Sequence, residues 1–199
     1  FINRIIMPHY MKDGTYRYFE ARDLTGKSFL KYKYPPAVTQ EYYNLNFVDK
    51  TRPFFIFEGT IDSFFIENSI AAGGASKIKT LLSLIDKKYH KNIIIVFDGD
   101  TAGIQSSYKL LRSGYRVFVW NDEMMALRDE DDKIDMNQLL LTGYFDNSLT
   151  EESQIRVEEI MKNVMNPTLP NLLQFEVHYS KFGYEMEEKK HDRFVQKRR

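Results

Sequence analysis

Residues 93–103 read IIIVFDGDTAG, a run of five apolar residues that leads directly into two aspartates separated by one glycine. A short apolar run of this kind is typical of a strand buried on both faces of a parallel sheet. In such sheets, functional residues gather beyond the carboxyl ends of the strands. Asp98 and Asp100 therefore have three interpretations: ligands of a metal ion, a phosphatase nucleophile with its partner, or an ordinary acidic turn.

The phosphatase interpretation fails on the position of the next hydroxyl residue. Haloacid-dehalogenase-like phosphatases also carry Asp-x-Asp after an apolar strand, but one residue separates this motif from the Thr or Val that follows. Here Thr101 follows Asp100 immediately. In addition, that family places the motif on its first sheet strand, whereas an apolar strand at residues 54–57 comes earlier in this chain.

Apolar strands alternate with helical patterns through the middle of the chain. Strands are expected at residues 54–57, 69–74, 93–97 and 115–120. Helices are expected at residues 61–68, 76–88 with Ser76 as cap and 102–113, and a turn followed by a helix is expected over residues 133–141. This alternation predicts an α/β fold, a mostly parallel sheet with helices on both faces. The charged segment after residue 150 is expected to be a helical tail, with one helix over residues 151–165.

Charge is sorted along a chain whose total is balanced, with 28 basic and 28 acidic residues. Residues 1–33 hold seven Lys and Arg against three Asp and Glu, and aromatic residues are interleaved with them. Turn signals at Gly14 and Gly26 predict a small antiparallel β unit that ends at Pro35. A basic, aromatic β surface suits the binding of a nucleic-acid backbone and its bases. Residues 121–135 hold seven acidic residues against two basic ones, and an acidic loop is expected here, with Asp129 to Asp132 solvated.

Several classes of site are excluded or disfavoured by composition. The chain has no cysteine, which rules out disulfides and a Cys-based zinc ribbon within it and fits a reducing, cytoplasmic setting. Its four histidines are scattered without ligand spacing. The sequence contains neither an apolar run long enough to cross a membrane nor a signal peptide. The first residue is Phe1 rather than Met, so we expect the chain to be part of a longer protein.

Acidic residues follow three of the expected strands. The set comprises Glu58 with Asp62 one turn later, Asp98 with Asp100, and Asp135 with Asn137. Neighbouring strand ends of one parallel sheet bring such carboxylates together, and like charges repel strongly unless a counter-charge is present. Hard divalent cations such as Mg²⁺ relieve that repulsion through oxygen ligands. The set favours a metal site over an acidic turn.

The motifs in this set resemble the Toprim domain, which DnaG-type primases, type IA and II topoisomerases and some nucleases share. FIFEGTIDSFF at residues 55–65 carries Glu-Gly-x-x-Asp, and residues 93–103 carry Asp-x-Asp-x-x-Gly. SIAAGGAS at residues 69–76 and IDMNQLL at residues 134–140 extend the resemblance. Ile134 stands where Lys is frequent in the family, and Asn137 where some members have Asp, which argues against a metal role for Asn137.

The segment ahead of this domain narrows the resemblance to primases. RIIMPHYMKDGTYRYFEARDLTGKSFLKYKYP at residues 4–35 is similar to the primase segment that leads into Toprim and guides single-stranded template. The resemblance implies a basic β subdomain at residues 1–50, a Toprim domain at 51–147 and a helical segment at 148–199.

The resemblance also implies the chemistry. As a primase catalytic core, the chain joins ribonucleoside triphosphates into short RNA primers on single-stranded DNA, using two or more Mg²⁺ or Mn²⁺ ions. The implied metal ligands are Glu58, Asp98 and Asp100, which are also the catalytic residues, with Asp62 and Asp135 in support. The implied template or nucleotide contacts are Arg22, Lys31 and Lys33. A zinc-binding domain and a replicative helicase outside the chain are the implied partners, and the short, divergent form suggests a bacteriophage replication protein.

Three other functions remain as alternatives. A Toprim nuclease uses the same acids to hydrolyse a phosphodiester, and the basic segment ahead of the domain argues for a primase instead. A topoisomerase also needs a strand-cleaving tyrosine on another domain, and no tyrosine here has a recognisable setting for that role. A non-catalytic nucleic-acid-binding domain is disfavoured because all the core acids are retained.

Overall fold

Two sheets make up the fold of the computed structural model, which describes residues 1–37, 42–146, 149–151 and 154–186. In the first, β1 (Arg4–Tyr10) and β2 (Tyr16–Asp23) form an antiparallel hairpin, and β3 (Tyr32–Lys33) pairs with β2. The hairpin turns at Gly14, whose φ of 83° favours glycine. The predicted small antiparallel unit is therefore confirmed, and we call it the basic sheet.

The second sheet has five strands in the order β5-β4-β6-β7-β8. These strands are β4 (Phe54–Phe57), β5 (Ser69–Ala71), β6 (Ile93–Val96), β7 (Arg116–Phe118) and β8 (Val164–Met165). The first four run parallel to one another, and β8 joins the edge antiparallel to β7. Every residue of β4 and β6 is buried, so both faces of the sheet centre are covered. The prediction of a mostly parallel, doubly covered sheet is confirmed.

Seven α-helices and one 3-10 helix are present within the described residues. The α-helices are α1 (Thr60–Ser63), α2 (Ala75–Leu84), α3 (Thr101–Arg112), α4 (Asp122–Met125), α5 (Met136–Leu141), α6 (Val157–Met161) and α7 (Leu169–Ser180). The 3-10 helix spans Lys87–Asn92. None of the described helices is long and apolar enough to cross a membrane.

Three expected helices differ from the observed ones. The helix expected at residues 61–68 ends at Ser63, because Ile66 is needed in the core, where it bridges to Ile155. The helix expected at 76–88 begins after Gly74 rather than at a Ser76 cap, and a separate 3-10 helix follows it. The single helix expected at 151–165 is wrong, since α6 and β8 occupy its second half and β8 completes the sheet edge.

Candidate active site

The predicted acidic set gathers at the carboxyl edge of the parallel sheet. Phe57, the last residue of β4, lies beside Val96, the last residue of β6. The chain after β4 therefore places Glu58 close to Asp98, which follows β6 by two residues. The grouping of these acids, expected from the strand pattern alone, is what the topology produces.

Glu58 is held by backbone amides of two different elements. Its half-buried carboxylate accepts hydrogen bonds from the N–H groups of Asp98 and of Ala75, the first residue of α2. Its own carbonyl accepts from Gly73 and Gly74 at 2.9 and 3.0 Å. Burial, followed by the negative charge of Asp100, raises the pKa of Glu58. The side chain is thus fixed in place but surrounded by negative charge.

Among the acids of the site, Asp98 has the pKa that is raised furthest. Burial is the largest cause that raises its pKa, to about 8, and the negative charge of Glu58 comes next. Asp62, Asp135 and Asp100 add smaller contributions in the same direction. Because one carboxyl group responds to four others, the acids form one electrostatic cluster, and this cluster favours a proton or a bound cation.

Asp62 links the cluster to the helix that carries Asp135. Its Oδ1 accepts a hydrogen bond from the N–H of Asn137 in the first turn of α5, at 3.1 Å. Burial, followed by the charge of Asp135, raises the pKa of Asp62 to about 6, while Arg22 acts in the opposite direction. Asn137 therefore contributes its backbone N–H to the site.

Asp100 and Asp135 are both helix N-caps. Asp100 accepts from the N–H of Gly103 at 2.8 Å, and Asp135 accepts from the N–H of Gln138 at 2.7 Å. An N-cap uses one carboxylate oxygen and leaves the other available. For Asp100, the acidic-turn interpretation is therefore correct as local structure, and it is compatible with a role in the cluster.

A close backbone approach at Gly99 brings Asp135 to the site. The N–H of Gly99 donates to the carbonyl of Ile134 at 2.6 Å. A Cβ on Gly99 would overlap the side chain of Ile134, which is buried. The middle residue of DGD must therefore be small. Ile134, which departs from the family pattern, serves here as a packing residue.

Arg22 is the residue of the basic sheet whose positive charge acts on the cluster, at Asp62. Its guanidinium donates to the hydroxyl of Tyr32 at 2.8 Å and lies 5.1 Å from the centre of that ring. Lys33 pairs with Ala21, one position along β2, so its side chain lies on the opposite face of the sheet from Arg22. Lys31 is exposed two residues earlier. Of the three predicted basic contacts, Arg22 lies at the acids and Lys33 faces away.

Two features of the site were missed from the sequence. Tyr32 holds the Arg22 guanidinium. The two residues are paired by the register of β2 and β3, which cannot be read from the sequence. Tyr184, beyond α7, lies near Asp100, whose charge acts on its hydroxyl, and it accepts a hydrogen bond from Arg128 at 3.0 Å. No sequence signal connects positions so far apart in the chain.

The donor chemistry of the cluster fits a hard divalent cation. In the part of the chain that the structure describes, no three acidic or histidine side chains converge into a group that could hold a metal ion. The carboxylates are close enough to raise one another's pKa values without closing around one point. Mg²⁺ usually takes one or two carboxylates and completes its shell with water and substrate phosphates, so it does not require such a group.

Comparisons with known proteins agree with this geometry. Residues 55–140 match a family described as Toprim-like. The DNA primase of Enterobacteria phage T4 is 29% identical over 138 residues, which cover 66% of this chain and 38% of the T4 protein. This chain therefore corresponds to well under half of that relative.

Two solved structures share the fold at 18% identity. The RNA polymerase domain of Mycobacterium tuberculosis primase DnaG, in complex with a double-stranded DNA oligomer with a 6-nucleotide overhang, gives a TM-score of 0.53 over 86% of this chain and 55% of that one. A chain from the bacteriophage T7 lagging-strand DNA polymerase structure with primase domains of two gp4 subunits gives 0.50, over 70% and 71%. The resemblance inferred from the motifs is confirmed: residues 55–140 match a Toprim-like family, and the fold is similar to that of the RNA polymerase domain of a DnaG primase.

Proposed function

We propose that this chain is the catalytic core of a DNA primase and joins ribonucleotides into short RNA on a single-stranded DNA template. One observation carries the proposal: the hydrogen bond from Thr60 to Glu20 joins the basic sheet to the helix that follows Glu58, and Arg22 lies on the same face of β2 as Glu20, where its charge acts on Asp62. A nucleotidyl transferase needs such an arrangement, because it must hold an anionic template and triphosphate next to metal-binding acids. The similarity to the T4 primase supports the same function and is in keeping with a bacteriophage source.

The proposed metal ligands are Glu58, Asp98 and Asp100, with Asp62 and Asp135 in support. Bound Mg²⁺ or Mn²⁺, as two or more ions, supplies charge neutralisation at the attacking 3′-hydroxyl and the leaving pyrophosphate. The chain itself holds the ligands at fixed spacing. Glu58 is oriented by two backbone amides, and Asp100 is oriented by the first turn of α3. Fixed dipoles and charges of this kind need little reorganisation during the reaction.

The proposed nucleic-acid contacts are Arg22, Lys31 and Lys33. Arg22, with its guanidinium held by Tyr32, is placed to bind a phosphate of the incoming nucleotide or of the template next to the acids. Lys33 lies on the other face of the basic sheet and is exposed, so its proposed contact is with template further from the reacting atoms. Phosphate contacts of this kind make binding strongly dependent on salt.

The same proposal implies partners outside this chain. The proposed partners are a zinc-binding domain that selects start sites and a replicative helicase. The sequence itself contains neither a Cys-rich zinc ribbon nor the P-loop of a helicase. The proposed activity belongs to the cytoplasm of a bacterial cell or a phage-infected host.

Primer synthesis tests the proposal directly. The chain is incubated with single-stranded DNA, labelled ribonucleotides and Mg²⁺ or Mn²⁺, and the products are separated by size. We expect short labelled RNA. Shortening of the DNA without RNA synthesis would instead identify a Toprim nuclease and contradict the proposal.

A further inference from the structure

We propose that Glu20 is a positioning residue for the acidic cluster, acting through a hydrogen bond from Thr60 that ties the basic sheet to helix α1. The inference rests on the proposed function because it concerns the same acids. It deepens that function by identifying what fixes the acids relative to Arg22. Glu20 lies on β2 and is buried, and it acts on the cluster through Thr60.

Buried polar side chains are concentrated in one line of hydrogen bonds. Among the described residues, six polar or charged residues are buried, and five of them belong to this line. The five are His9, Glu20, Thr60, Ser63 and Ser69, and the sixth is Ser107 on α3. Burying a polar group without a hydrogen-bond partner destabilises the fold. We therefore interpret the five residues as one connected structural unit.

The line runs from the basic sheet through α1 to the parallel sheet. Glu20 Oε1 lies 2.8 Å from His9 Nε2, and Glu20 Oε2 accepts from Thr60 Oγ1 at 3.1 Å. The carbonyl of Thr60 accepts from Ser63 Oγ at 2.7 Å, and the carbonyl of Ser63 accepts from Ser69 Oγ on β5. Both carboxylate oxygens of Glu20 are therefore used, and the two sheets are joined across one short helix.

Helix α1 depends on this connection for its position. It has four residues, and its N-cap Gly59 provides no side-chain hydrogen bond. So short a helix has no stability of its own in water, so tertiary contacts must hold it. Thr60 lies two residues after Glu58 and two before Asp62. The contact that holds Thr60 therefore helps to position both acids, together with the backbone amides that bind Glu58 and Asp62.

The same contact sets the position of Arg22. Glu20 and Arg22 are two residues apart on β2, so their side chains lie on the same face of the basic sheet. That face meets α1, where the charge of Arg22 acts on Asp62. The Glu20–Thr60 hydrogen bond thus fixes the distance between the cationic residue and the acids, which a metal-bound triphosphate must span.

Aromatic rings make the connection rigid. The ring of His9 stacks on Tyr18 with centres 4.2 Å apart and meets Tyr43 edge-on at 5.1 Å. Tyr43 also contacts Phe64, the residue that ends α1, at 5.3 Å between ring centres. Aromatic rings therefore enclose the Glu20–His9 pair on the side that faces α1. A buried polar pair enclosed in this way keeps its partners only in one arrangement.

Thr60→Val tests the inference, because it removes the hydroxyl and keeps the shape of the side chain. Thr60→Ser retains the hydroxyl and serves as the rescue variant. Ser107→Ala, at the buried serine outside the line, controls for the loss of a buried hydroxyl. Each variant of this chain is examined for amide hydrogen exchange across α1 and for Mn²⁺ affinity by calorimetry.

We expect Thr60→Val to speed amide exchange in α1 at least 10-fold and to weaken Mn²⁺ binding by about 10- to 100-fold, the range seen for residues that orient metal ligands. Thr60→Ser and Ser107→Ala should stay within about 3-fold of the wild type by the same comparison. Unchanged α1 exchange in Thr60→Val would overturn the inference. Absence of Mn²⁺ binding by the wild type would contradict the proposed function instead, and the exchange data would still decide the role of Glu20 and Thr60.

Discussion

The first turn of α3 lies directly against the backbone of Asp98, and Gly103 leaves no room there for a Cβ, which would overlap the carbonyl of Asp98. The N–H of Gly103 meanwhile donates to Asp100 at 2.8 Å. One glycine thus sets the separation between the strand end that carries Asp98 and the helix start that carries Asp100. This explains physically why the motif has glycine five residues after its first aspartate.

Gly103→Ala is expected to destabilise the protein. Within a helix this change ordinarily stabilises by roughly 0.5–1 kcal/mol, but here the clash is with backbone, which cannot rotate away. We expect a net loss of about 1–3 kcal/mol, as is typical of overpacking, together with loss of activity. Urea denaturation measures the change. Ser106→Ala, half-buried on the same helix, is the control, and equal stabilities of the two variants would contradict the account.

The stability of the metal-free protein is expected to fall as the pH rises from about 4 to about 8. Burial and neighbouring carboxylates raise the pKa of Asp98 from 3.8 to about 8. In this window the folded state keeps a proton that the unfolded chain has lost, so the stabilisation is complete below pH 4 and disappears as the pH passes 8. The free energy of unfolding, measured in EDTA across this range, checks the sign.

Asp98→Asn should remove most of that pH dependence. Near pH 4 the variant and the wild type should be similar in stability, whereas near pH 9 the variant should be more stable. A gain of about 1 kcal/mol raises the Tm of a domain of 150–250 residues by about 2–4 °C. Glu130→Gln, at an exposed acid of residues 121–135, is the matched control and should show no such gain. A variant less stable than wild type at pH 9 would indicate that Asp98 stabilises the fold as an ion.

Replacement of Arg22, but not of Lys33, is expected to raise the KM for ribonucleotides. Arg22→Ala removes the cation beside the acids and should raise the KM for ribonucleotides by about 10-fold or more, since a charge-assisted bond contributes about 1.5–3 kcal/mol. Lys33→Ala should leave that KM nearly unchanged, because Lys33 lies on the opposite face of the basic sheet. Steady-state kinetics at saturating template would separate the two, and equal KM values for both variants would count against the assignment.

Lys33→Ala should instead weaken binding of single-stranded DNA. Loss of one phosphate contact is expected to reduce the slope of log K against log salt concentration by about 1. Titrations by fluorescence anisotropy at several salt concentrations measure this slope. An unchanged slope would show that Lys33 contacts no phosphate.

The strand ends and the acids could be predicted because they follow from local patterns. Apolar runs identify buried parallel strands, and the carboxyl ends of such strands meet at one edge, so Glu58 and Asp98 were expected together. The length of α1 could not be predicted, because the need to bury Ile66 against Ile155 ends the helical pattern. That need arises from a contact between residues far apart in the sequence.

Residue pairs that depend on strand register also could not be predicted from the sequence. The pairing that places Tyr32 beside Arg22 and turns Lys33 away depends on a β2–β3 alignment that a shift of one residue would reverse. Likewise, His9, Glu20 and Thr60 look like ordinary surface residues in the sequence, and only packing of the basic sheet on α1 shows that they are buried. β8 was mistaken for helix because its two residues gain their strand structure from β7 alone.

Synthesis of RNA on single-stranded DNA by matched variants of this chain tests whether Asp98 takes part in nucleotidyl transfer. With labelled ribonucleotides and Mn²⁺, the wild type and Glu130→Ala are expected to make short RNA at similar rates. Asp98→Ala should lose about 100-fold or more, beyond the loss typical of residues that only orient a metal ligand. RNA synthesis by Asp98→Ala at the wild-type rate, or DNA cleavage without RNA synthesis by the wild type, would contradict the account.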